Sequence, residues 1–332
     1  MTLDYDIVYE DKARDDRILW SSYLNCIIRQ DWPLDATFHA ESANAPNMRT
    51  VMARKREDGS HLSSVVWFEN DEDGMAWIST YITEESARGL GIGSLVWNTA
   101  LERIPEHLNK GLTAATAMEK KYQSNGMPHH ELSEFEYEFG PDLKEGLSSI
   151  IENFPENDGL VFRDLKSLSN EEVDALIAFD NGVTGRDRSV FLRQFIGYKS
   201  IAASTVLYDA SNNILGFGAI AQIPFPLPNV KEDNLYRIAP LFAVSMEAAS
   251  RIMQKLVSDI NSEHFRKDPA ACFYFWTVSG TIGEELSEKI CAITKPDDTW
   301  GPFKQLYSKP FTNPLDRTRF FLPHSHAFHY DA

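Results

Sequence analysis

A chain of 332 residues, 43% hydrophobic and 12% aromatic, is long enough for two domains and apolar enough to bury a core in each, which excludes a disordered chain. Lys and Arg number 32 against 49 Asp and Glu, a formal charge of −17; this argues against a duplex nucleic-acid binder, which needs a basic face to displace counterions, and suits a cationic or amine partner. Cys26, Cys272 and Cys291 form no CxxC pair and no even set, so they read as buried thiols of a reducing compartment. Residues 1–6 lack a basic region ahead of an apolar run, and no stretch is long enough to span a bilayer, so the expected location is the cytoplasm.

A short strand is expected over 5–9. A helix opened by Asp15 and Asp16 follows, with Ile18, Leu19, Tyr23 and Ile27 at helical spacing, then a short helix over 35–42. Three strand-like runs come next, 49–56, 61–69 and 75–83, separated by Asp58-Gly59 and by 71–74, where Asp and Gly suit hairpin turns. Past the glycines at 89, 91 and 93, a helix is expected over 94–104, stopped by Pro105. A buried strand over 112–118, a short helix over 119–125 ended by Gly126, and an alternating strand over 132–139 complete the first half. Turn chemistry at Gly140-Pro141, Pro155 and Asn157-Asp158-Gly159 makes 140–158 a connector, with a helical turn over 147–151.

The second half repeats this grammar. A strand over 160–164 leads to a helix opened by Ser169 with Glu171 and Glu172 behind it. A hairpin follows over 200–208 and 214–223, then a strand over 235–243, an amphipathic helix over 246–260, an aromatic strand over 271–278, a helix over 284–290 and a strand over 303–308. The same order in both halves predicts two domains of one architecture.

The run Arg88-Gly89-Leu90-Gly91-Ile92-Gly93 joins a strand to a helix. Glycines there let backbone N–H groups turn inward, and the helix terminus adds partial positive charge, so the junction can cradle a pyrophosphate. A nucleoside-triphosphate loop would need Lys after the last glycine, and a dinucleotide fingerprint would need GxGxxG after the first strand of a parallel unit; neither occurs.

The run resembles the [RQ]xxGx[GA] signature of the GNAT superfamily of acyl-CoA-dependent N-acetyltransferases. The lead-in at 81–87 and the apolar helix start at Leu95-Val96-Trp97 are similar to the family's as well. The resemblance implies that the amides of Gly89, Leu90, Gly91, Ile92, Gly93 and Ser94, with Arg88, hold the pyrophosphate of acetyl-CoA. It further implies that the backbone of Tyr81, Ile82 and Thr83 pairs with the pantetheine arm. The family's apolar position falls on Thr83 although Ile82 matches it better chemically, which leaves the strand's register open by one residue. Tyr122-Gln123-Ser124-Asn125-Gly126-Met127 resembles the element whose tyrosine protonates the departing thiolate, which makes Tyr122 the general acid. Glu69, Glu84 and Glu85 are candidate bases, and each reads equally as a solvated surface charge.

In the second half, Ile238-Ala239-Pro240-Leu241-Phe242-Ala243 with Ala248 and Ala249 resembles a GxxGPLxA-type stretch of tandem GNAT proteins, with Ala239 where they have Gly. Residues 180–188 resemble the Asp...G.DR segment of their second domain. Asp180, Arg186, Asp187 and Arg188 are thus either a substrate-binding loop or a salt-bridged helix corner. The fold implied is α/β (α+β): two tandem GNAT-like domains, each a mixed, mostly antiparallel central sheet flanked by helices. The first covers 1–140 and carries the cradle, 141–158 connects, and the second, degenerate, covers 159–332. His324, His326 and His329 are not expected to hold a metal. The reaction implied is direct acyl transfer to a small-molecule or peptide amine, without nucleic acid or membrane partners. A non-catalytic acyl-CoA-binding scaffold is the alternative.

Overall fold

Thirteen strands hydrogen-bond into one sheet among the described residues of a computed structural model, which covers 4–30, 32–155, 159–223, 235–260 and 272–324. The first half supplies β1 (Tyr5–Tyr9), α1 (Glu10–Asp15), α2 (Arg17–Ile28), α3 (Pro33–Ser42), β2 (Met48–Lys55), β3 (His61–Asn70), β4 (Met75–Thr83), a 3-10 turn (Glu85–Ala87), α4 (Ile92–Arg103), β5 (Asn109–Ala114), α5 (Glu119–Ser124), β6 (His129–Phe139) and α6 (Leu143–Ile151). Asp16 caps α2 by accepting from the amides of Ile18 and Leu19, both at 3.1 Å. Two expectations shift. The chain turns into α1 directly after β1, and β5 occupies 109–114 where a strand over 112–118 was expected, because its outer edge is paired by a partner from elsewhere in the chain.

The second half supplies β7 (Val161–Arg163), a 3-10 turn (Leu165–Ser167), α7 (Asn170–Thr184), α8 (Ser189–Ile196), β8 (Ile201–Tyr208), β9 (Ile214–Ile223), β10 (Leu235–Ala243), α9 (Met246–Asp259), β11 (Cys272–Val278), α10 (Ile282–Ile293), β12 (Asp298–Tyr307) and β13 (Phe320–Leu322). Helix α7 opens with a reciprocal cap, Ser169 accepting from the Glu172 amide while Glu172 accepts from the Ser169 amide. Residues 143–151 are more than a connector: Leu143, Leu147 and Ile150 share a buried core with Ile252, Leu256 and Leu286 of α9 and α10.

The sheet order is β1-β2-β3-β4-β5-β12-β6-β11-β10-β9-β8-β7, with β13 beside β10. The two halves trade strands. Strand β12, late in the chain, lies between β5 and β6, with Leu306 opposite Leu112 on one side and Phe303 opposite Glu134 on the other. Strand β6, from the first half, carries the sheet onward to β11, Phe275 opposite Tyr137.

The seam is packed and polar at once. Trp77 and Tyr307 lie 6.0 Å apart between ring centroids, and Gly111 fits beneath them because a Cβ there would come within 2.6 Å of Trp77. Buried Glu134 accepts from Thr113 Oγ1 at 3.0 Å and Gln305 Nε2 at 2.8 Å, while Tyr307 donates to Gln305 Oε1 at 2.8 Å. A network satisfied this way pins register, since a one-residue slip would strand each of these polar groups. Residues 1–140 expressed alone therefore leave β5 and β6 with bare facing edges. They should fail to give a cooperative thermal transition by circular dichroism, whereas the full chain gives one.

Candidate active site

The site begins where β4 and β5 part. These parallel neighbours pair only from Met75–Asn109 to Trp77–Gly111. Beyond that, β5 is held on its other side by β12, and the β5-facing edge of β4 opens. Opposite β3 the register jumps from Trp67–Ile78 to Val66–Thr80, which makes Ser79 the extra residue of a β-bulge. The bulge reverses the alternation of β4. Ile78 and Tyr81 both pack toward α4, and Ile82 packs in the opposite core with α2 and α3. Ile82 is core, and the side chains of Tyr81 and Thr83 lie against Gly93 at the start of α4.

Gly89 and Gly91 have φ of +78° and +79°, where an L side chain is strained, and Gly91 is the N-cap of α4, which no side chain caps. The first amides of α4 are thus left open to an anion. Gly93 is needed for a different reason. A Cβ there would lie 2.7 Å from Thr83 Oγ1 and 2.9 Å from Tyr81 Oη, so only glycine lets the helix start close on β4. Leu90 is exposed and Ile92 buried in the core, so their contribution is backbone alone. Arg88 braces the loop from within, donating to the Thr83 carbonyl at 3.2 Å and to Gln30 Oε1 at 2.6 Å.

A cavity of about 730 Å³ joins these parts, lined by Tyr81, Ile82, Thr83, Arg88, the three glycines and Ser94. Tyr122 also lines it, tilted against Trp97 (5.3 Å between centroids), which in turn meets Tyr81 (5.0 Å). Burial, helped by neighbouring Tyr81, holds the Tyr122 phenol above its ordinary value, so it keeps its proton. The cavity walls also carry Asp35, Ser79, Thr80, Lys121, Glu136 and Phe303, none of which the sequence pointed to. Glu136 and Phe303 arrive through the strand exchange, and a bulge leaves no local signature.

The proposed bases lie elsewhere. Glu69 pairs with Ala76, seven residues before Thr83 and about 23 Å from the loop at the usual strand rise; it binds Arg49 at 3.1 Å and Trp67 Nε1 at 2.9 Å. Glu84 is ion-paired with Arg29. Glu85 is exposed in the 3-10 turn. None of the three lines the cavity.

Residues 180–188 also stand away from it and form the helix corner. Asp180 is buried 3.6 Å from Arg188, whose guanidinium lies over Phe191 at 4.6 Å. Burial holds the Asp180 carboxyl above its usual value, with Arg188 opposing. Asp187 accepts from the Ser189 amide at 2.9 Å. Arg186 reaches Asp73 in the β3–β4 turn at 3.3 Å and lies over Phe311 at 5.3 Å, tying the two halves together.

Among the described residues, Cys26, His61 and Glu84 bring ligand-type atoms within 4.8 Å of one another. Arg29 already supplies the positive charge of that group through Glu84. Burial and the Glu84 charge push the Cys26 thiol up to about 12. His324 is buried against Phe38, Phe191 and Phe195, and His326 and His329 lie outside the described residues.

Comparison with known proteins gives this geometry its context. Residues 176–271 match the model of the acetyltransferase (GNAT) domain. Across 93% of this chain and all of the other, the structure superposes with a TM-score of 0.63, at 14% identity, on a tandem GNAT protein from the clavulanic acid biosynthesis pathway. The fold is that of a tandem GNAT protein. A GCN5-related N-acetyltransferase from Sphaerobacter thermophilus gives a TM-score of 0.57 at 9% identity over 94% and 99% of the chains. Saccharomyces cerevisiae N-myristoyltransferase with bound myristoyl-CoA gives 0.60 at 11% over 95% and 81%. In sequence, the uncharacterized protein F36G3.2 of Caenorhabditis elegans is 25% identical over 99% of both chains. The domain match falls on the half without the glycine loop. Among the described residues no helix is long and apolar enough to cross a membrane.

Two outcomes follow from the geometry. Gly91→Ala forces a side chain onto φ +79°, a strain of about 1–2 kcal/mol; CoA affinity by calorimetry should drop while the fold persists. Burial depresses both His39 and His61 to about 3, below their unfolded value of about 6.5. The unfolded chain therefore binds protons that the native chain does not. Stability is full above pH 6.5 and falls as pH drops toward 3, by up to about 1.4 kcal/mol per pH unit for each histidine. Chemical unfolding at pH 7 and pH 5 measures this.

Proposed function

We propose that this chain is an acyl-CoA-dependent N-acyltransferase that moves acetyl from acetyl-CoA directly to an amine. The observation that carries the reading is the cavity joining an uncapped, glycine-started helix, the open edge of β4 and a half-buried Tyr122 that keeps its proton. The pyrophosphate would lie on the amides of Gly89 to Ser94, and the pantetheine would extend the sheet along 81–83, its amide groups replacing the β5 pairing that ends at Trp77. This aims the thioester at the bulge, where a β4 amide faces the oxyanion that forms on attack. Tyr122 gives its proton to the leaving thiolate. Arg88 and Lys121 suit the anionic end of the cofactor, whereas Asp35 and Glu136 on the walls suit a cationic amine in a chain of charge −17.

The amine enters against β6 and β12, so the exchanged strands shape the acceptor end. Thiol release from acetyl-CoA with a panel of amines tests the reading; CoA binding without turnover of any amine would favour the acyl-CoA-binding scaffold. Within the active protein, Tyr122→Phe should lower kcat by about 100-fold and leave CoA affinity unchanged. A variant as fast as the parent would remove Tyr122 from the chemistry.

A further inference from the structure

The base this reaction needs is absent from the three glutamates the sequence offered. A different group lies under the bulge. His39 on α3 is fully buried. Its Nε2 is 2.9 Å from both Ser79 Oγ and Thr80 Oγ1, and its Nδ1 is 2.8 Å from Tyr23 Oη. Consecutive strand residues ordinarily point to opposite faces. Ser79 and Thr80 both reach the same ring nitrogen only because the register slips between them and β3. Ser79 and Thr80 also line the cavity, as does Asp35, four residues before His39 and so one turn away on the same helix face.

We propose that His39 is the proton acceptor for the incoming amine, reached through the hydroxyls of Ser79 and Thr80. The inference rests on the acyl-transfer reading above. The amine attacks in its neutral form, its ammonium proton already given up to water; as the nitrogen forms its bond to the thioester carbon, it passes one proton to a hydroxyl oxygen, which releases its own hydrogen to His39 Nε2. The C–S bond then breaks, its electron pair goes to sulfur, and Tyr122 protonates the thiolate. One proton has left the amine and one has reached the thiol. Imidazolium and phenolate are restored by exchange with water once the products leave.

The groups facing His39 fit this duty. Tyr23 from α2 holds the far nitrogen, β4 presents the hydroxyls of Ser79 and Thr80 to the near one, and Asp35 lies one turn before His39 on α3. Tyr23 itself meets His61, which is neutral. Burial keeps His39 unprotonated at neutral pH, so its lone pair is available. The negative charge that develops on the thioester oxygen and sulfur during attack then favours a cation behind the cavity wall. Because it acts through Ser79 and Thr80, His39 is a positioning and relay residue.

The test uses the full chain with acetyl-CoA and three probe amines: 2-phenylethylamine, spermidine and a glycine-initiated tripeptide. His39→Gln can still hydrogen-bond the two hydroxyls but cannot take a proton. With saturating amine it should lose about 100-fold in kcat at unchanged CoA affinity. Its kcat should then climb about tenfold per pH unit as hydroxide replaces the lost base, while the parent stays flat over pH 7 to 9. Ser79→Ala with Thr80→Val leaves His39 in place, cuts the path, and should show the same loss and the same slope. A role in packing alone would move melting temperature or CoA affinity and leave the pH profile flat. An active parent with both variants within threefold of it and flat in pH would overturn the relay. A parent that binds CoA and turns over none of the amines would instead overturn the acyl-transfer reading, and the relay with it.

Discussion

The structure turns on the divergence of β4 from β5. Two adjacent parallel strands lose registry after three residue pairs, which in an ordinary sheet would leave buried peptide groups unpaired at a cost of several kcal/mol. Two features make the gap tenable. Strand β12 satisfies the outer edge of β5, and the bulge at Ser79 bends β4 away. The peptide groups that remain open on β4 face a cavity and can pair with a ligand of extended shape. The glycine loop sits at the end of this slot because the same strand runs into it.

The partner that holds β5 comes from the other half of the chain, so the first half cannot be completed locally. Trp77 over Gly111 against Tyr307, with the buried Glu134–Gln305–Tyr307 array, locks this seam. Asp73 with Arg186 adds a second tie. The tandem arrangement is therefore one continuous sheet whose middle strands are shared. A side chain on β6 and another on β12, Glu136 and Phe303, line the cavity of the first half without any further docking of domains.

Charge is sorted along the cavity by element. Cations come from the loop and α5, carboxylates from α3 and β6. The bulge adds a neutral, hydrogen-bonding floor, with His39 and His61 both kept uncharged by burial. A site with this polarity suits the proposed separation of a polyanionic cofactor from a cationic acceptor.

The glycine cradle was legible because its causes are local. Positive φ at 89 and 91 and close approach at 93 each demand glycine, whatever the rest of the chain does. Tyr122 is singled out in the sequence only by the resemblance of 122–127 to a family element, and the structure brings it to the cavity beside the glycine loop. Most element boundaries followed from alternation and caps such as Asp16 and Ser169. Glu69, Glu84 and Glu85 could not be placed, because a carboxylate carries no mark of which end of a strand it occupies or whether an arginine already neutralises it. Residues 180–188 read equally as a ligand loop or a helix corner, and the burial of Asp180 beside Arg188 makes them the corner. By itself the sequence determined the elements and the anion cradle, which depend on backbone geometry over a few residues. Only the tertiary structure decided the open edge of β4, the meeting of Ser79, Thr80 and His39, and the cavity wall from β6 and β12, because each depends on contacts between segments tens to almost two hundred residues apart.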